Sequence, residues 1–124
     1  MKVLIDGYNL MNKVKVKGDS LEEKREKFIS LISEFCSVNK TGVTIVFDGA
    51  GQESYHRGYE KRGKIKLVFS ARGETADDII METVGKKKSA KNYLVITSDR
   101  KIKDFADSRG ASLQSAEEFS QYLE

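Results

Sequence analysis

Five aspartates have the side-chain type and the placement expected of ligands to a divalent metal ion. They are Asp6, Asp48, Asp77, Asp78 and Asp99. Hard carboxylate oxygens without histidine or cysteine suit Mg²⁺ or Mn²⁺ better than Zn²⁺. Carboxylates a few ångströms apart repel by about 1–4 kcal/mol per pair at surface dielectrics, and a cation is the simplest way to offset that cost. These residues therefore predict a metal site, provided that the fold brings them together.

Four apolar runs predict the strands that would position these aspartates. The runs are VLI (3–5), VTIVF (43–47), IKLVF (65–69) and YLVIT (93–97). Amphipathic helical patterns lie between them, and this alternation is typical of a parallel sheet with helices on both faces. We therefore expect an α/β fold with three layers, α/β/α, around a mostly parallel central sheet. The length is that of one domain, so residues 1–124 are expected to form a single domain.

Three of the aspartates follow these runs closely. Asp6 and Asp48 come directly after the first two runs, and Asp99 follows the fourth after one serine. Ligands of open parallel sheets bind beyond the carboxyl ends of the strands, which is where these side chains would lie. Each also has a structural explanation, because Asp-Gly pairs form turns and aspartate caps helices. The coincidence of carboxylates from four separate segments favours the metal site.

The adjacent pair Asp77 and Asp78 opens a helical pattern. Thr75 and Asp78 have the spacing of a capping box, in which Asp78 would fold back toward the backbone of Thr75. Asp77 would then face the metal site. A shift of the helix boundary by one residue would exchange the two roles, so both stay candidate ligands.

A basic segment predicts a contact with single-stranded nucleic acid. Its cationic and aromatic residues are Tyr55, His56, Arg57, Tyr59, Lys61, Arg62, Lys64, Lys66 and Arg72, and Glu60 is its only acid. Cations for phosphates and flat rings for unstacked bases are the combination that such ligands require. The alternative is a solvated loop and strand edge. His56 is more simply a surface residue than a proton donor.

Composition narrows the class of protein. The chain has 39% hydrophobic and 33% charged residues, a net charge of +3 and one cysteine. A disulfide framework and a cysteine-rich zinc site are excluded, and no apolar run approaches the roughly 20 residues of a membrane span. No secretory signal pattern is seen, so we expect a cytoplasmic protein without a membrane partner. The oligomeric state is not predicted.

Four segments carry a resemblance to a known family. In chain order they are LIDGYNLMN, VFDGAG, FSARGETADDII and VITSDRKIKDFADSRGA. Together they resemble the YacP-like branch of the NYN-domain family, within the PIN-like nuclease superfamily, over nearly the whole chain. The resemblance implies a PIN-like fold and a metal-dependent endoribonuclease acting on single-stranded RNA. A relative in this branch is a ribosome-associated enzyme that cleaves messenger RNA, so messenger RNA and the ribosome are the implied partners.

The resemblance also implies roles for individual residues. Asp6, Asp77 and Asp99 match the acidic metal positions, while Asn9, Asp48 and Ser98 match polar positions around the site. Asp48 would bind a second ion or position water. The basic segment itself, rather than the resemblance, supplies the residues expected to contact RNA, which are Arg57, Tyr59, Lys61, Arg62, Lys64 and Arg72. The chain is shorter than its relatives mainly between Gly51 and Lys64.

Two other functions compete with this hypothesis. A phosphatase of the haloacid-dehalogenase type needs a second aspartate two residues after the first, where this chain has Tyr8. An RNA- or ribosome-binding module without catalysis is the serious alternative. A domain freed from catalysis has no reason to keep a repelling acidic cluster, and metal-dependent cleavage of RNA would separate the two.

Overall fold

The computed structural model describes residues 1–49, 54–86 and 88–123. Within these ranges six strands form one sheet: β1 (Lys2–Asp6), β2 (Val43–Phe47), β3 (Gly58–Arg62), β4 (Ile65–Phe69), β5 (Tyr93–Ile96) and β6 (Ser112–Gln114). The α-helices are α1 (Gly7–Val14), α2 (Leu21–Asn39), α3 (Ala76–Gly85), α4 (Arg100–Ser108) and α5 (Ala116–Ser120). Ala50 and Gly51 of the VFDGAG motif, and Glu124 of the predicted domain, lie outside the described residues.

The sheet has the strand order β3-β4-β2-β1-β5-β6. All neighbouring strands are parallel except β3, which pairs antiparallel with β4. Each face of the sheet has its own hydrophobic core, so the strands read as nearly continuous apolar runs. The predicted α/β fold with a mostly parallel central sheet is confirmed.

Alternate residues of the strands enter the two cores. Ile5 packs with residues of α1, α2 and α5, including Phe28, which is completely buried. Leu4 packs on the other face with residues of α3 and α4, including Ile80 and Ile102. The helices on the two faces hold the sheet in place, and β1, β2, β4 and β5 end at the same edge of it. None of the helices in the described part of the chain is long and apolar enough to cross a membrane.

The first helix begins where the sequence suggested a turn. Gly7 starts α1 directly after β1, and Asp6 occupies the N-cap position without making a side-chain cap hydrogen bond. A Cβ atom on Gly7 would lie 2.5 Å from the Phe47 ring, so glycine lets the helix start against β2. The turn explanation for Asp6 is therefore wrong, and its carboxylate does not cap α1.

Strands β3 and β6 were not expected from the sequence. Residues 58–62 (GYEKR) are largely exposed, and they form a strand because their backbone pairs with β4 through a turn at Gly63, whose φ is 59°.

Residues 58–64 (GYEKRGK) also have the glycine and lysine spacing of a phosphate-binding loop. Ile65 stands where that loop needs serine or threonine, and the segment is a β-hairpin instead.

Candidate functional site

Four aspartates lie at the carboxyl edge of the sheet, and we call them the acidic rim. Asp6 ends β1, Asp48 follows β2, Asp77 lies in the first turn of α3, and Asp99 is the N-cap of α4. The negative charges of Asp77, Asp99 and Asp48 each raise the pKa of Asp6. The structure thus brings together carboxylates that are separated by up to 93 positions in the chain.

Asp6 is the most buried member of the acidic rim, with 8% of its surface exposed. Burial is the largest cause that raises its pKa, to about 6, and the neighbouring carboxylates add to this effect. The pKa of Asp77 is also raised, first by burial and then by the charge of Asp99, while Lys101 acts in the opposite direction. Both pKa values are thus raised first by burial, and the charges of the neighbouring carboxylates raise them further.

Two buried hydroxyls hold the rim carboxylates in place. The Thr97 hydroxyl donates to Asp6 Oδ2 at 3.0 Å and accepts from the Asp99 N–H at 3.0 Å. The Ser70 hydroxyl donates to Asp48 Oδ1 at 3.3 Å and accepts from the Gly49 N–H at 2.7 Å. Neither residue was predicted. Ser70 directly follows one apolar run and Thr97 is the polar end of another, and that position was the signal in the sequence.

The capping predictions are confirmed. The Thr75 hydroxyl accepts from the Asp78 N–H at 3.2 Å, and Asp78 Oδ2 accepts from the Thr75 N–H at 2.9 Å. This capping box uses Asp78 and leaves Asp77 to the rim. Asp99 also caps its helix, because its Oδ1 accepts from the Ile102 N–H at 3.1 Å. That bond uses one carboxylate oxygen of Asp99 and leaves the other for a ligand.

The donor chemistry of the acidic rim fits a hard divalent cation, since its side-chain ligands are carboxylate oxygens. As the side chains lie, no group of three or more His, Cys, Asp or Glu residues in the described ranges is close enough to hold one ion. Mutual repulsion favours that separation, and ligation would draw some of the carboxylates closer together. The assignment of Asp6, Asp77 and Asp99 as metal ligands therefore stays a prediction, as does that of Asp78.

The predicted polar residues Asn9 and Ser98 lie beside the rim and hold its loops. Asn9 Oδ1 accepts from the Ser98 N–H at 2.8 Å, which ties α1 to the loop before α4. The Ser98 hydroxyl donates to Glu117 and accepts from the Ala116 N–H at 2.9 Å. Glu117, which the sequence did not single out, also pairs with Lys13 at 3.1 Å. The Ser98 hydrogen bond and Lys13 lower the pKa of Glu117 to about 2.

Two of the arginines predicted to contact RNA are engaged with carboxylates. The Arg57 guanidinium binds Glu74 with both Nε and Nη2 and also contacts Glu82, and these bonds raise its pKa. Arg62 pairs with Glu26 of α2 and with Glu60. Arg57, directly before β3, thus contacts α3 and the loop before it, while Arg62 ties the end of β3 to α2. Their prediction as RNA contacts remains untested, but phosphate would have to compete with these carboxylates.

The remaining predicted contacts lie in two places. Because β3 runs antiparallel to β4, Lys61 near the end of β3 and Lys64 in the turn after it lie toward the sheet edge opposite the rim. Arg72 lies on the rim side, in the loop after β4. It donates to the Tyr55 hydroxyl at 3.2 Å, and its guanidinium carbon lies 5.4 Å from the centroid of that ring. Tyr59 is 72% exposed on β3.

Comparison with known proteins identifies the family. A model of the YacP-like NYN domain matches residues 3–124. The chain belongs to the YacP-like NYN domain family. This confirms the resemblance seen in the four motifs, and it makes the chain a nuclease-type domain of the PIN-like group.

Individual relatives agree with this family assignment. The uncharacterized protein YacP of Bacillus subtilis (strain 168) is 28% identical over 130 residues, which cover 98% of this chain and 74% of the relative. The crystal structure of Rae1 (YacP) from Bacillus subtilis matches with a TM-score of 0.76 and 26% identity, over 99% of this chain and 73% of that one. The structure of its W164L mutant gives the same TM-score and identity, over 98% and 74% of the two chains.

Replacing Thr97 with valine is expected to destabilise the protein by about 1–3 kcal/mol, because the partly buried Asp99 N–H and the buried Asp6 carboxylate would each lose a hydrogen-bond partner. The Thr97 hydrogen bond lowers the pKa of Asp6, so its loss should raise that pKa further. Urea unfolding and carboxyl NMR titration would measure the two effects. Thr97→Ser, which keeps the hydroxyl, is the control. A valine variant with native stability and an unchanged Asp6 pKa would contradict the positioning role of this hydroxyl.

Proposed function

We propose that this protein is a metal-dependent endoribonuclease that hydrolyses phosphodiester bonds in single-stranded RNA, with Mg²⁺ or Mn²⁺ as cofactor. The observation that carries the proposal is the acidic rim, with Asp6 buried among three other carboxylates. Clustered carboxylates lower the stability of a folded protein, so their presence calls for a use. Metal-dependent catalysis by a nuclease-family fold would need them. From the family resemblance alone, we extend the proposal to messenger RNA on the ribosome as the natural target.

Each residue of the acidic rim has its own role in the proposed reaction. Asp6, Asp77 and Asp99 would hold the cation, and Thr97 would orient Asp6 while it fixes the backbone of Asp99. A divalent cation bound there supplies a water of lowered pKa and stabilises the charge that develops on the phosphate. Asp48, held by Ser70, would position water or bind a second ion. Asn9 and Ser98 would keep the loop before α4 in place.

The Tyr55–Arg72 pair supports single-stranded RNA as the substrate. Tyr55 is 77% exposed, and the Arg72 guanidinium lies over its ring on the rim side of the sheet. A base stacked on Tyr55 would place the neighbouring phosphate near Arg72. Bases inside a duplex are already stacked on each other, so this pair favours an unpaired strand.

A circular single-stranded RNA tests the proposed reaction directly. A circle has no ends, so only an endonuclease can open it. We expect linear product with Mn²⁺ or Mg²⁺, and much less from a circle masked by a complementary strand. If the chain retains the circle in complex without opening it, the alternative of an RNA-binding module without catalysis is correct. If it opens DNA and RNA circles equally, the substrate assignment is wrong.

Exchanging the two helix-opening aspartates one at a time should separate their roles. Asp77→Asn is expected to lower cleavage by more than about a hundredfold, because loss of a residue that merely supports a metal ligand costs about 10–100-fold. Asp78→Ala should instead lower stability by about 0.5–1.5 kcal/mol through loss of the hydrogen bond from the Thr75 N–H, with cleavage largely kept. Initial rates and urea unfolding measure the two effects. The reverse pattern would assign the ligand to Asp78.

A further inference from the structure

We infer that the groove between strand β3 and helix α3 binds the backbone of the RNA that flanks the cleavage site. This inference rests on the proposed function and adds a second contact surface to it. The groove has a volume of about 540 Å³, and the exposed side chains that carry the argument are Tyr59, Lys61, Lys66 and Lys86. We call these four residues the lysine groove.

The first observation is a pair of lysines that face each other across the hairpin. Lys61 of β3 and Lys66 of β4 are direct partners in the antiparallel register, so their side chains leave the same face of the sheet. Side chains at such positions have Cβ atoms about 4.5–5.5 Å apart, and like charges there are destabilising. The two lysines form no ion pair with any described residue. A polyanion would relieve their repulsion.

The second observation is the charge balance around the groove. Lys86, at the C-cap of α3, also lacks an ion pair among the described residues, so three ammonium groups border the depression. Glu60, the carboxylate that borders it, is paired with Arg62. Glu74 and Glu82 are paired with Arg57. The two arginines offset only part of the negative charge of these glutamates and of Glu26, the other partner of Arg62. The three lysines outnumber the remaining negative charge, so the surroundings of the groove are net positive.

The third observation is the direction of the groove. Helix α3 connects two parallel strands, β4 and β5, so it runs from the acidic rim toward the opposite edge of the sheet. Asp77 lies at its start, while Ile79, Thr83 and Lys86 follow along the groove. A strand with one phosphate at the rim can therefore continue beside α3. The exposed ring of Tyr59, opposite Val68, offers a stacking face along this path.

The test measures RNA binding in an Asp6→Asn background, which keeps the RNA uncut. Lys61, Lys66 and Lys86 are changed together to glutamine. The matched control changes Lys17, Lys24 and Lys27, which lie on or before α2, and loses the same charge. Fluorescence anisotropy would follow labelled, unstructured RNAs of about 20 and about 5 nucleotides, with KCl varied from about 50 to 200 mM. Cleavage by the native chain is measured in parallel.

The groove variant is expected to bind the longer RNA about tenfold more weakly than the control variant does. The ratio of its affinities for the longer and the shorter RNA should also be smaller than in the control. Its slope of log affinity against log salt should fall in magnitude by about 2, since each phosphate contact to a single strand contributes about 0.7. Thermal unfolding should show the variant to be folded, because the change removes a repulsive pair.

Equal affinity and equal salt slopes in the two variants would overturn the inference. The lysines would then only protect the exposed edge strand from pairing with another chain, and the variant should self-associate. If the native chain cuts RNA in that case, the inference about the groove is wrong and the proposed function is supported. If the native chain binds through the groove but does not cut, the proposed catalysis fails and the groove stands. If it neither binds nor cuts, both fail.

Discussion

Exchanging Asp6 for asparagine is expected to abolish RNA cleavage while making the protein more stable. Asp6 is the most buried carboxylate of the acidic rim, and three others act on its charge. Loss of a metal ligand should cost more than the roughly 10–100-fold that loss of its supporting residues costs. We therefore expect cleavage to fall by more than about a hundredfold in single-turnover assays.

The gain in stability has a defined pH dependence. In the folded protein the pKa of Asp6 is raised from 3.8 to about 6, so folding favours the protonated form. The native protein thus loses stability as the pH rises from about 4 to about 6, and the loss is complete above that range. This rise in the pKa of Asp6 corresponds to about 3 kcal/mol. Asparagine should recover up to this amount at pH 7.5 and little at pH 4.

Urea unfolding at the two pH values would check this prediction. Asp104→Asn, on the exposed side of α4, is a matched control that should change neither cleavage nor the pH dependence. An Asp6→Asn variant that unfolds at room temperature would show that Asp6 has a structural role. A stable variant that still cuts would remove Asp6 from the catalytic site.

Mn²⁺ is expected to stabilise the native chain against heat, independently of any RNA. An ion at one hundred times its dissociation constant contributes about 2.7 kcal/mol, which corresponds to a rise in Tm on the order of 10 °C for a chain of this size. Asp6 must be ionised to bind it. With a pKa of about 6, the affinity should be about fourfold lower at pH 5.5 than at pH 7.5 from this residue alone.

Differential scanning fluorimetry with increasing Mn²⁺ would measure the effect, and EDTA should reverse it. The rise in Tm should be lost in both Asp6→Asn and Asp77→Asn and kept in Asp104→Asn. A rise of equal size in the Asp6 variant would place the ion elsewhere. No rise at any pH would indicate that the carboxylates of the rim do not form a metal site without substrate.

The parts of this fold that could be predicted from sequence are those whose side chains are buried. The strands β1, β2, β4 and β5 are covered on both faces and therefore read as apolar runs, whose ends located the acidic rim. Strand β3 is polar and largely exposed, and backbone pairing with β4 determines it. The three residues of β6 are too few to form a pattern.

The same reasoning explains which site residues were found. The aspartates stand out because carboxylates after apolar strands are distinctive, whereas Thr97 and Ser70 resemble ordinary strand ends until their hydrogen bonds are seen. The partners of Arg57 lie 17 and 25 positions away, and Glu26 lies 36 positions from Arg62. The charge of a side chain can be read from the sequence, but the ion pairs that it forms depend on tertiary contacts.

The most direct test of a metal-dependent nuclease is cleavage of a labelled single-stranded RNA by the native chain in EDTA, and then after Mn²⁺ or Mg²⁺ is added back in excess. We predict no cleavage in EDTA, recovery with either ion, and no recovery in the Asp6→Asn variant. Cleavage that persists in EDTA, or that the Asp6→Asn variant performs at the native rate, would contradict the assignment of the acidic rim as the catalytic metal site.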